Sequence, residues 1–335
     1  LLGAIALAAL VPAQASMLQS TSERAQPVED AGYKMLVNAA NAVVGLKVKA
    51  LPNAFSNDTL GAERTGSGVI IDDGLVLTIA YLVMEADTVE VTDSTGTTVP
   101  ATVVACDHAT GFAVLRPVAK LSPKPIHLGT SGPVSQLDRL MIVTGGDSQT
   151  VSISTVVSRR QFAGYWEYLI DNAIFTTPPR LDHSGAALID KSGNLVGIGS
   201  LFVLDAVEPG ERLPGNMFVP IDLLKPVLDE LVRTGGQRAS HRPWLGVDSL
   251  EEDGRVKVMQ VNEESPAQAA GITPGDIILQ VNGAPVVSLP SFYDKLWERD
   301  AGTDVHLTVL HGPQSREVIV HTADRDAGLR HKPDV

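Results

Sequence analysis

Gly66-Ser67-Gly68-Val69-Ile70-Ile71-Asp72-Asp73-Gly74-Leu75-Val76-Leu77-Thr78-Ile79-Ala80-Tyr81 is the stretch that decides the fold. Two short β-branched runs, 68–71 and 75–78, flank an Asp-Asp-Gly step that reads as a hairpin turn. The same pattern continues in both directions, with runs at 43–48, 88–91, 97–104, 113–115, 141–143, 150–157, 186–189 and 195–198, broken by Gly, Asp, Asn and Pro. Strands recurring at this spacing predict a sandwich or barrel. Lys191-Ser192-Gly193-Asn194 reads as a second hairpin turn. Apolar residues from Met35 to Val43 recur at helical spacing and predict one short helix leading into the β structure. Pro220 to Arg233 predicts an amphipathic helix closed by Gly235-Gly236.

The chain has 335 residues, which leaves room for roughly two domains. Its formal charge is −13, and no long basic run offsets it, so a polyanion such as nucleic acid meets net repulsion and is excluded as a partner. Cys106 is the sole cysteine, so no intramolecular disulfide forms, and no Cys/His spacing suits zinc. Neither a metal nor another cofactor is expected. Thirty glycines, 21 prolines and a charged fraction of 19% suit a turn-rich β protein better than a helical bundle.

Leu1 to Val11 is an apolar run of the length of a secretory core, and Ala13-Gln14-Ala15 before Ser16 supplies a small-x-small cleavage pattern. Residues 1–15 are therefore expected to be a signal peptide or the remainder of an anchor, and the body to be extracytoplasmic, most simply periplasmic. Membrane attachment is expected only if that run stays uncleaved. No later stretch approaches the roughly 18 apolar residues a membrane helix needs.

After a linker at 235–242, a second unit begins at Pro243. In it, Ser265 to Gly271 reads as a short helix closed by glycine, and Gly275 to Gly283 as a strand ending in an Asn-Gly turn. Pro290 to Arg299 reads as a second helix, and 305–310 and 316–320 as closing strands.

The ordered set Gly66-Ser67-Gly68, Leu77-Thr78-x-Ala80, Asp87, Ala113-Val114-Leu115, Thr150-Val151-Ser152, His183-Ser184-Gly185 and Gly193-Asn194-Leu195-Val196-Gly197-Ile198 resembles the HtrA/Deg serine proteases. Trp244-Leu245-Gly246-Val247, Ser265-Pro266-Ala267, Gly271-x-x-Pro274-Gly275-Asp276 and Asn282-Gly283 likewise resemble a PDZ domain. The resemblance implies a mainly β chain, a trypsin-like double six-stranded β-barrel followed by a PDZ domain. The expected layout is then a polar segment at 16–35, the barrels at 36–234, the PDZ domain at 243–322 and a charged, frayed tail at 323–335.

Acyl transfer by a serine needs a base, a group that orients the base, and two N–H donors for the oxyanion. By resemblance the base follows Leu77-Thr78-Ile79-Ala80 at once, where this chain has Tyr81. A phenol with a pKa near 10 is a poor base at neutral pH. The orienting aspartate is replaced by Gly111 in Thr110-Gly111-Phe112-Ala113, and Asp107, four residues earlier, matches a non-catalytic acid. Ser184 keeps the nucleophile position, but Asp182 stands where a glycine N–H shapes the oxyanion hole, and its carboxylate is expected to bring negative charge there. Tyr81 either fills the space of the histidine or takes a hydrogen-bonding role; Ser184 is either a nucleophile or an inherited turn residue. His183 and His108 are the candidate substitute bases, although successive side chains in extended structure point to opposite faces, which disfavours His183. Cys106 is expected to be a small buried hydrophobe.

A PDZ domain takes an extended C-terminus by pairing it with a strand edge while loop N–H groups hold the carboxylate. By resemblance those are the N–H groups of Leu245, Gly246 and Val247, next to Trp244, with Leu296 lining the pocket for the last side chain. The expected function is that of a degenerate HtrA-like protein that binds polypeptide C-termini or unfolded segments as scaffold, adaptor or chaperone-like regulator, as a homotrimer or in a mixed trimer with an active relative. The alternative is an active serine endopeptidase in extracytoplasmic quality control that uses Ser184.

Overall fold

The computed structural model describes residues 26–146, 149–235, 242–325 and 329–330. The expected signal at 1–15, the start of the polar segment, most of the linker and the last residues lie outside the described residues. A helix, Gln26–Asn41, runs directly into β1, Val43–Ala50. It begins nine residues before Met35, so the part of the polar segment at 26–35 is helical. From β1 the chain builds a closed barrel with β2 (Glu63–Ile70), β3 (Val76–Ile79), β4 (Ala86–Thr92), β5 (Thr98–Asp107) and β6 (Phe112–Pro117), in the order β1-β2-β3-β6-β5-β4. β2 and β3 form the expected hairpin, Val69 opposite Leu77, and Asp73 carries the positive φ that the tight Asp72-Asp73-Gly74 turn demands.

A second closed barrel takes β7 (Arg139–Thr144), β8 (Thr150–Gly164), β9 (Tyr168–Thr177), β10 (Ala187–Ile189), β11 (Leu195–Val203) and β12 (Gly215–Pro220), in the order β10-β11-β12-β9-β8-β7. Inward-facing Leu46, Val76, Val91 and Leu115 fill the first barrel, and Ile142, Ile174, Leu188 and Phe218 the second; all are buried. Closure leaves neither barrel an open sheet edge. The barrels meet along backbone: a side chain at Gly145 would strike the Val44 carbonyl at 2.1 Å.

The predicted helix over 220–233 is instead a 3₁₀ turn, Ile221–Leu223, and a separate helix, Leu228–Thr234. Pro226 explains the break, because it lacks an N–H and disfavours α geometry at Lys225. Gly235 closes the second piece in the left-handed conformation, as read from the sequence.

The PDZ domain opens with β13, Pro243–Trp244, and contains a sheet of β14 (Val247–Glu252), β15 (Arg255–Val261), β16 (Ile277–Val281), β18 (Asp304–His311) and β19 (Gln314–His321), in the order β14-β15-β16-β18-β19, with β17 (Ala284–Pro285) paired to β16. β14 is an edge strand. The helix read at 290–299 spans Leu289–Leu296, because Ser288 and Ser291 cap it in reciprocal hydrogen bonds and Trp297 leaves the helical conformation. The short helix Pro266–Ala269 is capped by the Ser265 hydroxyl. The tail is not frayed at its start: β20, Ala323–Asp324, pairs with β13, and Arg325 donates to the Trp166 carbonyl at 3.0 Å.

Candidate functional site

Ser184 lies in the loop between β9 and β10 of the second barrel, where that loop packs against the first. Its carbonyl accepts the Ser67 N–H at 2.8 Å, and Gly185 donates to the Gly199 carbonyl, so the loop is tied to both barrels. Tyr81 sits in the turn of helix after β3, Ala80–Val83, which Arg64 holds through hydrogen bonds to the Tyr81 and Met84 carbonyls. This brings Tyr81 Oη to 2.8 Å from Ser184 Oγ and 2.7 Å from the Ser200 carbonyl. The carbonyl only accepts, so the phenolic proton serves Ser200 and the Ser184 hydroxyl is left to donate to a neutral phenol oxygen. Burial pushes the Tyr81 phenol up to about 12, against the smaller opposing effect of the Ser184 hydrogen bond. Forming the phenolate at pH 7 then costs about 7 kcal/mol, at 1.36 kcal/mol for each pKa unit.

Gly111 has φ +82°, and a Cβ there would lie 2.6 Å from the Tyr168 hydroxyl. That hydroxyl donates to the Thr110 carbonyl at 2.9 Å, so an aromatic residue of the second barrel closes off the place beside Gly111. Asp107 is buried and caps its own turn, accepting from the Ala109 N–H and the Thr110 hydroxyl.

The expectation that Asp182 adds open negative charge near Ser184 needs correction. Arg180 donates to both of its carboxylate oxygens, at 2.9 and 2.6 Å, and Thr144 and Thr150 donate at 3.3 and 3.4 Å. Burial pushes the carboxyl up, but Arg180 and the other donors outweigh it and hold the group below the usual aspartate range.

No hydrogen bond joins His183 or His108 to Ser184 among the described residues. His183 Nδ1 lies 3.0 Å from the Arg180 carbonyl, and burial lowers its pKa. His108 lines a small cavity with Trp244 and Trp297, between the barrels and the PDZ domain. Cys106 is half-buried and packs on the barrel core. Beside Ser184 a cleft of about 520 Å³ opens, walled by Lys47, Ser67, Gly145 and Asp182 among others. Among the described residues no cluster of three or more His, Cys, Asp or Glu side chains could hold a metal. No helix among them is long and apolar enough to cross a membrane.

Gly246 has φ +81°, and a Cβ there would lie 2.3 Å from Ser265 Cβ, so only glycine fits. Leu296 is fully buried in the PDZ core. The loop N–H groups are already engaged, by a residue the sequence did not single out. Glu167, from the β8–β9 hairpin, accepts from Gly246 at 2.7 Å, from Val247 at 3.1 Å and from Leu245 at 3.1 and 3.2 Å. Burial pushes the Glu167 carboxyl up to about 7, against the loop N–H groups and the Arg325 charge. The available signal was compositional: Phe162, Tyr165, Trp166 and Tyr168 crowd one hairpin of a chain that is 4% aromatic.

The trypsin-like peptidase domain family matches residues 66–198, and the PDZ domain family residues 243–322. The serine endoprotease DegS of Haemophilus influenzae is 30% identical over 289 residues, which cover 81% of this chain and 81% of that protein. The DegS of Escherichia coli K12 is 28% identical over 330 residues, covering 91% and 88%. A probable periplasmic serine endoprotease, DegP-like, of Halomonas elongata is 27% identical, covering 77% and 56%. The crystal structure of the serine endoprotease from Yersinia pestis superposes with a TM-score of 0.56 at 25% identity, over 88% of this chain and 97% of that one. Barrels, PDZ domain and relatives agree: the chain belongs to the HtrA/Deg family, a trypsin-like peptidase domain followed by a PDZ domain.

Proposed function

We propose that this chain is a catalytically degenerate HtrA-like protein whose work is binding. The reading rests on the Ser184 hydroxyl meeting the Tyr81 phenol at 2.8 Å rather than an imidazole. Gly111 at the acid position and, in place of a glycine, an Asp182 whose carboxylate is held by Arg180 support it. Losing one triad member already costs on the order of a thousandfold or more in rate. The PDZ domain then carries the function: the N–H groups of Leu245, Gly246 and Val247 receive a terminal carboxylate, and Leu296 backs an apolar pocket for the last side chain. The partners are polypeptide C-termini or unfolded segments in an extracytoplasmic, periplasmic compartment, and the protein acts as scaffold, adaptor or chaperone-like regulator, alone as a trimer or within one formed by an active relative.

The relatives named as serine endoproteases favour a second reading, in which Ser184 cleaves with an unusual base. Casein incubated with the wild type, with Ser184→Ala and with an active HtrA-type protease separates the two. We expect cleavage by the active protease alone and no labelling of Ser184 by a fluorophosphonate probe. Cleavage by the wild type that Ser184→Ala abolishes would overturn the degenerate reading.

A further inference from the structure

A three-residue hairpin loop commonly ends in a left-handed residue, and glycine is the inexpensive choice there. Between β8 and β9 the loop is Tyr165-Trp166-Glu167, and the left-handed position, φ +57°, is held by Glu167. A non-glycine residue keeps that conformation where its surroundings compensate. Here the compensation comes from the other domain. The carboxylate receives the backbone N–H groups of Leu245, Gly246 and Val247, and the residue is only 6% exposed. Two residues earlier, the Tyr165 carbonyl accepts the Ser249 N–H at 2.8 Å, on the outer edge of β14. Tyr293, on the helix Leu289–Leu296 across from that edge, donates its hydroxyl to the Gly164 carbonyl at 2.7 Å and accepts the Glu167 N–H at 3.2 Å.

A carboxylate in the loop, a backbone carbonyl on the strand edge and a contact to the facing helix are the features by which a PDZ domain recognises an extended terminus. We infer that the β8–β9 hairpin is an internal ligand of the PDZ groove, the Glu167 side chain standing in for a terminal carboxylate, so that an external C-terminus binds only by displacing it. The inference deepens the binding function proposed above and rests on it. The tether makes the competitor intramolecular and holds it at high effective concentration. The apparent affinity for a free peptide is reduced by the fraction of molecules in which the hairpin has left.

The test uses the full chain, its Glu167→Gln variant and a pool of fluorescein-labelled octapeptides, degenerate except for a C-terminal Val, with free or amidated ends. Fluorescence anisotropy should show Glu167→Gln binding the free-acid pool at least tenfold more tightly than the wild type, with the amidated pool bound by neither. Equal, tight binding by both proteins would overturn the internal ligand while leaving the PDZ reading intact. Amide hydrogen exchange over 243–250, without peptide, is the second readout: these amides should be protected in the wild type and exchange at least tenfold faster in Glu167→Gln. Unchanged exchange refutes the inference whatever the peptides do. Faster exchange with no peptide bound by either protein refutes the PDZ reading and, with it, the regulatory role of the hairpin.

Discussion

Replacing Gly111 with aspartate, the residue the resemblance implies for an active triad, should unfold the barrels more easily rather than repair them. The added Cβ would sit 2.6 Å from the Tyr168 hydroxyl and 3.3 Å from its ring carbon Cζ, on a backbone with φ +82°. The left-handed conformation costs a non-glycine residue about 1–2 kcal/mol. Pushing the Tyr168 hydroxyl off the Thr110 carbonyl leaves buried polar groups unmatched, for about 1–3 kcal/mol more. The expected loss is therefore about 2–5 kcal/mol, combining the strain and the orphaned hydroxyl. Guanidinium unfolding followed by far-ultraviolet circular dichroism reads it as a lower midpoint for the barrels. A Tyr168→Ala background separates the two contributions, because only the backbone strain survives there, and the increment from Gly111→Asp should fall to about 1–2 kcal/mol. A cost under about 0.5 kcal/mol in the wild type, the range of an uneventful surface change, or equal increments in both backgrounds would refute the reasoning.

The Tyr81 phenol, pushed up to about 12 by burial, should stay protonated where an exposed tyrosine ionises, so Tyr81→Phe should leave the 295 nm absorbance change between pH 9 and 11 unaltered; a smaller change in the variant would show that Tyr81 titrates normally. A raised folded value means that its contribution to stability is complete below pH 10 and is lost as the pH climbs toward 12. Asp276 is fully buried and held below the usual aspartate range, since the Thr273 N–H, His311 and Arg316 outweigh the upward push of burial. Its contribution is therefore present above the ordinary value and lost as pH falls through the depressed one. Asp276→Asn should cost the PDZ domain roughly 2 kcal/mol at pH 7, discounted because both partners are part-exposed, and the gap to wild type should narrow as the pH falls below the ordinary aspartate value; a constant gap would count against it. Gly246→Ala should destabilise the PDZ domain by about 2–4 kcal/mol through φ strain and overlap with Ser265, read as a lower unfolding midpoint, and an unchanged midpoint would mean the loop relaxes freely.

The parts legible in the sequence are those specified locally. Asp72-Asp73-Gly74 fixes a turn and, with it, which β-branched runs pair, and Gly246 specifies a loop that admits no side chain. The helix after Pro220 was misread because its apolar spacing runs through Pro226, and a missing N–H outweighs periodicity. Tyr81 and Gly111 were visible as departures from a pattern, but the hydrogen bond to Ser200 joins residues 119 apart and leaves no trace in local spacing. The same holds for Glu167 and Gly246, 79 residues apart. Asp182 was legible as a carboxylate beside Ser184, but its pairing was not: Arg180, two positions earlier, donates to both of its carboxylate oxygens.

The chain has three tryptophans, and all of them lie where the barrels meet the PDZ domain. Trp166 stacks on Tyr168 at 5.5 Å, Trp297 stacks on Tyr293 at 5.2 Å beneath the Arg242 guanidinium, and Trp244 lines the cavity beside Glu167. Intrinsic emission from this protein is therefore a report from one junction, silent about the far walls of both barrels. A shift in its emission maximum follows the separation of the two domains in unlabelled protein and in real time.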